Sequence, residues 1–365
     1  MSLSVGIVGL PNVGKSTIFN SMTNAQVASE NYAFCTIEPN HGIVSVPDTR
    51  IDKIKEYIPT EKTIYNTIEF FDIAGLVKGA STGEGLGNKF LSHIRNVDAI
   101  IHIVRCFENN DVTHVDGDIN PIRDIETINT ELILKDIESI EKRIKNIAKI
   151  AKSGDTESKK ELELLNNMLP YLNEGKMIHD LDIDKQQLNQ LKSLALLTAK
   201  PMIYVANIAD TDLMEEDNIY VKNLRTYLSD NKKVLLTLSG AIEMEISSMD
   251  MNEQKEFLNE YGLEESGLNK MIRYAYQTLQ LETFFTAGPK EVRAWSIRKG
   301  STAPKGAGVI HSDFERGFIK AEVYTINDLI KYKNEIEIKN AGKLRQEGKE
   351  YIINDGDIIF FKFNV

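Results

Sequence analysis

Through the first 110 residues, short apolar runs alternate with segments whose apolar positions recur at helical spacing. Leu3 to Val8, His41 to Val46, Thr63 to Phe71 and Asp98 to Val104 read as strands. This alternation predicts an α/β domain with a mainly parallel sheet, in which each strand needs a crossover before the next can run the same way. The rhythm stops at Pro121 and resumes at Pro201 to Ala206 and Lys233 to Leu238. A segment has therefore been inserted into the α/β domain.

The insert has its own period. Thr130, Ile133, Ile137, Ile140, Ile144, Ile147 and Ala151 recur at alternating steps of three and four, the spacing of a heptad seam. Ser153-Gly154-Asp155 interrupts it, and Leu162, Leu165, Leu169 and Leu172 take it up again. The spacing predicts an antiparallel helical hairpin whose first arm is on the order of 30 Å long. Lys142, Arg143, Lys145, Lys149, Lys152, Lys159 and Lys160 gather toward its tip. They form either a solvated face or a surface for an acidic or phosphate-bearing partner.

Beyond Leu281 the pattern becomes short strands and Gly-containing turns. Val292 to Ile297, Phe318 to Tyr324, Glu350 to Ile353 and Ile358 to Phe363 read as strands, with a short helix near Ile326 to Tyr332. Asp355-Gly356-Asp357 reads as a tight turn feeding the last strand. The expected organisation is residues 1–124 and 200–280 as the α/β domain, 125–199 as the inserted hairpin and 281–365 as a compact α+β domain.

Composition narrows the function classes. The 365 residues carry a net charge of -11, which argues against a surface that wraps nucleic acid throughout. Charge is uneven, however. Residues 281–365 hold 14 Lys and Arg against 12 Asp and Glu, whereas residues 1–280 hold 29 against 42. Any RNA contact is therefore expected to be local. Two cysteines, Cys35 and Cys106, form neither a disulfide framework nor a metal-ligand spacing, which fits a reducing cytoplasm. Met1-Ser2-Leu3-Ser4 is no basic leader, and no apolar run approaches the roughly 20 residues of a membrane span. Neither secretion nor membrane insertion is expected.

The candidate chemistry begins between the first strand and the first helix, at Gly9-Leu10-Pro11-Asn12-Val13-Gly14-Lys15-Ser16. Two glycines let the backbone curl its N–H groups around a phosphate, Lys15 reaches the outer phosphates, and the Ser16 hydroxyl can ligate Mg2+. The order of later motifs selects among phosphate-loop proteins. Asp72 closes the strand Thr63 to Phe71, where its carboxylate can hold Mg2+, and the Gly75 N–H can meet a γ-phosphate. Thr36 precedes the strand His41 to Val46 and can close over the metal as a switch threonine. Asn207-Ile208-Ala209-Asp210 ends the strand Pro201 to Ala206, where switch GTPases read the base. Asn12, Val13, Gly14, Lys15, Ser16, Thr17, Asn207, Ile208, Asp210 and Ser239 are the expected nucleotide-binding residues, with Ser16, Thr36 and Asp72 as the Mg2+ set.

Three stretches then resemble one family, the YchF subfamily of Obg-like ATPases within the TRAFAC-class P-loop NTPases. They are Asn31 to Asn40 (NYAFCTIEPN), Asp72 to Ala80 (DIAGLVKGA) and Phe285 to Trp295 (FTAGPKEVRAW). The resemblance covers nearly the whole chain. It implies a GTPase-type nucleotide-binding domain, an inserted coiled-coil hairpin and a C-terminal ubiquitin-like TGS domain. It also implies ATP as preferred substrate, association with ribosomes, and RNA contacts through the hairpin tip and the TGS domain. A monomer is expected.

Base preference rests on the fourth position of the base-reading motif. An Asp there accepts from guanine's ring N–H and amine. Adenine lacks that pair of donors, and the unpaired carboxylate would cost roughly 1 to 3 kcal/mol. The family usually carries Glu at that position. Here Asp210 is retained, while Ile208 replaces the usual lysine. The loss of lysine and the resemblance favour ATP; Asp210 leaves room for GTP.

Leu76 stands where Ras-like enzymes place a water-orienting glutamine, so intrinsic hydrolysis is expected to be slow. Two groups can supply what leucine cannot. His114, in Thr113-His114-Val115, resembles the family's mobile catalytic histidine. Asn12 occupies the position at which related GTPases hold K+, whose charge can substitute for an arginine finger. Gly79 to Gly87, with four glycines, reads as a second switch loop. Two functions stay open: a slow ATPase cycling on the ribosome, with Lys15, Gly75 and His114 catalytic, or a ribosome- or RNA-binding scaffold for which ATP is mainly a regulatory ligand.

Overall fold

The computed structural model describes residues 3–28, 40–73, 86–109, 118–181, 183–229 and 233–364. The chain forms two compact units, Met1–Val44 with Glu69–Met271, and Ser45–Ile68 with Ile272–Val365.

In the first unit β1 (Ser4–Val8), β2 (His41–Ser45), β4 (Thr67–Asp72), β5 (Ala99–Arg105), β6 (Met202–Asn207) and β7 (Leu235–Leu238) make one sheet in the order β2-β4-β1-β5-β6-β7. From β4 to β7 every neighbouring pair is parallel. The two central strands, β1 and β5, are buried along their full length, which is why they read as largely apolar runs rather than as alternation. The helices α1 (Lys15–Ala28), α3 (Leu86–Asn96), α7 (Ile219–Ser229), α8 (Gly240–Ile246) and α9 (Met251–Glu260) belong with this sheet, and α10 (Gly267–Thr278) runs across the unit boundary. The mainly parallel α/β domain expected from the sequence is present.

The inserted hairpin is α4 (Pro121–Lys152) against α5 (Thr156–Asn173). Asn120 caps α4 by accepting from Arg123 N–H, and Asp155 caps α5 by accepting from Ser158 N–H. Gly154 makes the reversal at φ 102°. With 32 residues α4 is about 48 Å long, because it starts at Pro121, well before the heptad seam. Of the predicted seam Ile133, Ile140, Ile147, Ala151, Leu165 and Leu172 are buried. Thr130 is instead exposed, and Leu164 and Met168 take core positions beside Leu165. Arg143 is no free cation of the tip, since it forms a bidentate pair with Glu161 of the other arm at 2.6 and 2.8 Å. The return path, including the short α6 (Lys185–Gln190), is fastened by Asp136. Its carboxylate accepts from Leu197 N–H, Thr198 N–H and the Thr198 hydroxyl at 3.0, 2.7 and 2.6 Å.

In the second unit a mixed sheet runs β11-β10-β12-β8-β9-β3, with β3 (Lys62–Ile64), β8 (Leu281–Ala287), β9 (Glu291–Arg298), β10 (Phe318–Thr325), β11 (Arg345–Glu347) and β12 (Asp357–Phe363). The last strand, β12, lies centrally, parallel to β8 and antiparallel to β10. The helices are α2 (Thr49–Tyr57), α11 (Ala303–Ile310), α12 (Ser312–Arg316), α13 (Ile326–Tyr332) and α14 (Glu335–Asn340). The predicted strand Glu350 to Ile353 is reduced to a single bridge between Thr302 and Ile352, with β11 lying just before it.

Two expectations need correction. The run Thr63 to Phe71 is not one strand but two, β3 and β4, in different sheets. Asn66 makes the break: its amide donates to the Tyr276 hydroxyl and to Thr283 Oγ1 at 3.2 and 3.0 Å, and its carbonyl accepts from Val46 N–H. Residues 45–68, counted with the nucleotide domain, instead complete the second unit. Ile51 and Ile54 of α2 are buried against Phe285, Val292, Tyr324 and Leu329, and Arg50 pairs with Asp355. At the Asp355-Gly356-Asp357 turn, Asp355 also accepts from Thr283 N–H at 2.8 Å, and Gly356 has φ 90°.

Candidate nucleotide site

The phosphate loop leaves β1 at Gly9. A methyl group here would come within 2.4 Å of the Ile103 carbonyl oxygen, so only glycine lets the chain pass β5. Asn12 holds φ 63°, a left-handed conformation that asparagine tolerates better than most residues. Gly14 (φ 95°) completes the curl, and a Cβ there would lie 2.3 Å from the Asn207 amide nitrogen. α1 then starts at Lys15, and the first N–H groups of a helix have no intrahelical acceptor. Together with the helix dipole they favour an anion at the loop.

Lys15 is buried, and its ammonium donates to the Leu10 carbonyl at 2.8 Å. Burial lowers its pKa, and the nearby Asp72 carboxylate opposes that shift. The Ser16 hydroxyl donates to Asp72 Oδ2 at 2.8 Å. Asp72 Oδ1 is buried and has no hydrogen-bond partner. A hydroxyl and an incompletely satisfied carboxylate, side by side at a helix N-terminus, are hard oxygen donors of the kind Mg2+ takes. Among the described residues no group of three or more His, Cys, Asp or Glu could hold a metal by itself. This suits an ion that completes its shell with water and phosphate oxygens. Thr17, in the first turn of α1, is half-buried and accepts from the Ser21 hydroxyl through its carbonyl.

The base-reading segment is tied to this loop. The Asn207 amide donates to the Val13 carbonyl at 2.9 Å and accepts from Gly240 N–H at 2.9 Å, joining the ends of β6 and β7 to the phosphate loop. Ser239 is buried and caps α8. Ile208 turns into the core among Val104, Tyr204, Val221 and Leu224, so this position presents no cation. Asp210 is exposed, and one carboxylate oxygen accepts from Thr211 N–H. The structure therefore brings together Asn12, Val13, Gly14, Lys15, Ser16, Thr17, Asp72, Asn207 and Ser239. Thr36, Gly75, Leu76, His114, Cys35 and the loop Gly79 to Ser81 with Thr82 to Gly85 lie outside the described residues.

Sequence reasoning passed over two residues of β5. His102 is fully buried with neither ring nitrogen hydrogen-bonded, and burial, aided by the charge of Lys15, lowers its pKa to about 3. Arg105 is buried at the strand's end, where its guanidinium donates to the Phe107 and Asn109 carbonyls at 3.0 and 3.1 Å. The signal was present as two basic residues inside the otherwise apolar run AIIHIVR.

A phosphate loop on a parallel sheet, a serine–aspartate pair at its helix and an asparagine tie from the base-reading strand define a P-loop nucleotide hydrolase of the GTPase type. Residues 4–238 match a family model described as a 50S ribosome-binding GTPase, and residues 281–364 match YchF-GTPase_C, described as a protein of unknown function. The chain is 52% identical over 365 residues to the "Ribosome-binding ATPase YchF" of Pasteurella multocida, covering all of both chains. It is 46% identical to "Obg-like ATPase 1" of Gallus gallus, covering all of this chain and 93% of that one. The solved Schizosaccharomyces pombe YchF GTPase superposes with a TM-score of 0.90 at 39% identity, over 99% of this chain and 98% of the other. The chain belongs to the YchF family.

Proposed function

We propose that this protein is a ribosome-associated switch that binds ATP with Mg2+ and slowly hydrolyses it to ADP and phosphate. The observation that carries this reading is the Ser16–Asp72 pair, with one carboxylate oxygen still unsatisfied, beside Lys15 at the loop. Ser16 and Asp72 would hold Mg2+, which neutralises phosphate charge when bound, and Thr36 would join them. Lys15 would leave the Leu10 carbonyl for the outer phosphates, and the Gly75 N–H would meet the γ-phosphate. The relatives named ribosome-binding ATPase support both halves of the reading.

ATP is the preferred nucleotide by a modest margin, and GTP is a secondary substrate through Asp210. Slow turnover follows from Leu76, with His114 orienting water and a K+ ion at Asn12 adding charge. RNA is met locally, at the hairpin tip and on the TGS domain. At the tip Lys142, Lys145, Lys149, Lys152, Lys159 and Lys160 are all exposed. On the C-terminal unit Arg293 stacks over Trp295 at 3.9 Å, and Arg298 and Lys299 are exposed. The protein acts as a cytoplasmic monomer; among the described residues no helix is long and apolar enough to cross a membrane.

The test is turnover of ATP and GTP by the purified chain with and without Mg2+, joined to sedimentation with ribosomes in ATP, GTP, ADP or no nucleotide. Mg2+-dependent ATP turnover and nucleotide-sensitive co-sedimentation are expected. Equal efficiency for the two nucleotides would remove the ATP preference. Ribosome binding indifferent to nucleotide, and unchanged in Lys15→Ala, would favour the scaffold. Wild-type hydrolysis by His114→Ala, or indifference to exchanging K+ for Na+, would remove the corresponding group.

A further inference from the structure

Below the base-reading loop, between the segment that follows β6, the strand β7, the start of α8 and residues 263–270, lies a cavity of about 150 Å3. By volume it has room for about five waters. Its lining is of two kinds. Ile208, Leu213, Leu238 and Leu263 supply aliphatic surface, while Asp212, Glu215, Asp217, Glu243 and Glu265 supply carboxylates. Of these acids Asp212 accepts from the Asn218 amide and Asp217 pairs with Arg225. Among the described residues of the lining Lys270 is the one base, and it is exposed.

Glu243 distinguishes this cavity from a solvated acidic surface. Its side chain is buried, with only 3% exposed. Oε1 accepts from Gly267 N–H at 2.7 Å, whereas Oε2 is buried without a hydrogen-bond partner. Burial raises its pKa to about 7, against hydrogen bonds from the Leu268 and Gly267 N–H groups and the Ser266 side chain, which favour the carboxylate. A buried carboxylate oxygen left unpaired is costly, and a donor carrying positive charge is the partner that relieves it most. No group of three acids, histidines or cysteines among the described residues is arranged for a metal ion. The walls suit a cation that carries its own apolar stem.

We propose that this cavity is a second binding site, which takes an aliphatic ammonium group: the nitrogen against Glu243 and the methylene chain along Ile208, Leu213, Leu238 and Leu263. The group comes either from a free aliphatic diamine or from a lysine side chain of a partner protein. The site does not depend on the ATPase reading. It adjoins it in one respect, because Ile208 is a wall of the cavity and the next residue after Asn207. An occupant that fixes Ile208 bears on the tie to the phosphate loop, and nucleotide must then change the ammonium affinity by the same factor that the ammonium changes nucleotide affinity.

The test is methyl NMR on the full-length protein labelled at Ile, Leu and Val. It is titrated separately with butane-1,4-diamine, with an Nα-acetyl-lysine amide and with uncharged butane-1,4-diol. Saturable shifts centred on Ile208, Leu213, Leu238 and Leu263 with either amine support the site, and the amine that saturates first identifies the source. Glu243→Gln keeps an acceptor for Gly267 N–H and is expected to weaken amine binding about tenfold. Leu263→Trp, which fills the cavity, is expected to abolish it. The proposal is overturned by the absence of saturable shifts into the tens of millimolar, or by shifts of equal size with the diol. Should Glu243→Gln fail to fold, undiminished binding by Leu263→Trp overturns it alone.

Discussion

The side-chain amide of Asn207 lies 2.9 Å from the Val13 carbonyl and bridges it to Gly240 N–H, so one buried asparagine holds the phosphate loop and the start of α8 in register. Asn207→Ala leaves an acceptor and a donor buried without partners, at roughly 1 to 3 kcal/mol. The expected outcome is a lower melting temperature together with weaker binding of ATP and GTP alike. Titration with fluorescent analogues of both nucleotides checks it. A loss confined to one nucleotide would make Asn207 a base reader rather than a tie.

Asp72→Asn retains an acceptor for the Ser16 hydroxyl but removes the charge facing Lys15. Hydrolysis is expected to fall by at least tenfold and the Mg2+ requirement to rise, while the fold persists. Ser16→Ala should reproduce the Mg2+ effect. Turnover measured across a Mg2+ titration reads both.

His102 makes stability depend on acidity. Its folded pKa is lowered to about 3, while in the unfolded chain it titrates near 6.5. The unfolded state therefore binds the proton first as pH falls. The stability contributed by the neutral ring is complete above about pH 6.5 and is lost progressively toward pH 3, with a loss of about 2 kcal/mol by pH 5. His102→Leu should abolish this slope. At pH 7.5 it should also stabilise the protein by about 1 kcal/mol, because an unpaired buried polar ring is replaced by an apolar side chain. Urea unfolding of both proteins at pH 7.5 and pH 5 measures the difference.

Asp136 fastens the return of the hairpin through three hydrogen bonds. Asp136→Ala strands two backbone N–H groups and a hydroxyl in a buried position, and about 3 kcal/mol of stability should be lost. Hydrogen exchange at Leu197 and Thr198 should accelerate in the variant, which localises the effect.

At the hairpin tip, Lys142, Lys145, Lys149 and Lys152 are spaced three and four apart along the exposed part of α4. If they meet RNA phosphates, changing all four to Gln weakens ribosome binding and flattens its salt dependence by about one unit of slope for each phosphate no longer neutralised. Arg143→Gln should act on hairpin stability instead, since Arg143 is already committed to Glu161. Sedimentation at several salt concentrations separates the two effects.

How much of this was legible depended on whether the determinant was local. β1, the phosphate loop and α1 follow from a buried run, two glycines with required backbone geometry and a helix start, all within about 25 residues. The short helix near Ile326 to Tyr332 was also readable, and in the structure Thr325 and Asp328 close its start with a capping box. The division of Thr63 to Phe71 was not readable. It is made by Asn66 reaching Tyr276 and Thr283, more than 200 positions away, and an asparagine between apolar runs is compatible with a strand. The commitment of Arg143 to Glu161 and the burial of Ile208 were hidden for the same reason, since each depends on a facing surface that periodicity does not name. His102 and Arg105 were visible as anomalies in an apolar strand, but their meaning required the neighbours.

The membership of residues 45–68 in the second unit has a consequence for synthesis on the ribosome. α2 and β3 are made early, yet the strand that β3 pairs with, β9, and the C-terminal core residues that receive Ile51 and Ile54 follow about 230 residues later. At ordinary elongation rates this is an interval on the order of 10 to 40 s. Throughout that time Ile51 and Ile54 have only the neighbours of their own segment, among them Tyr57, Ile58 and Tyr65, and no C-terminal fragment beginning at residue 281 contains them. The second unit thus closes around a segment made more than 200 residues before the rest of it.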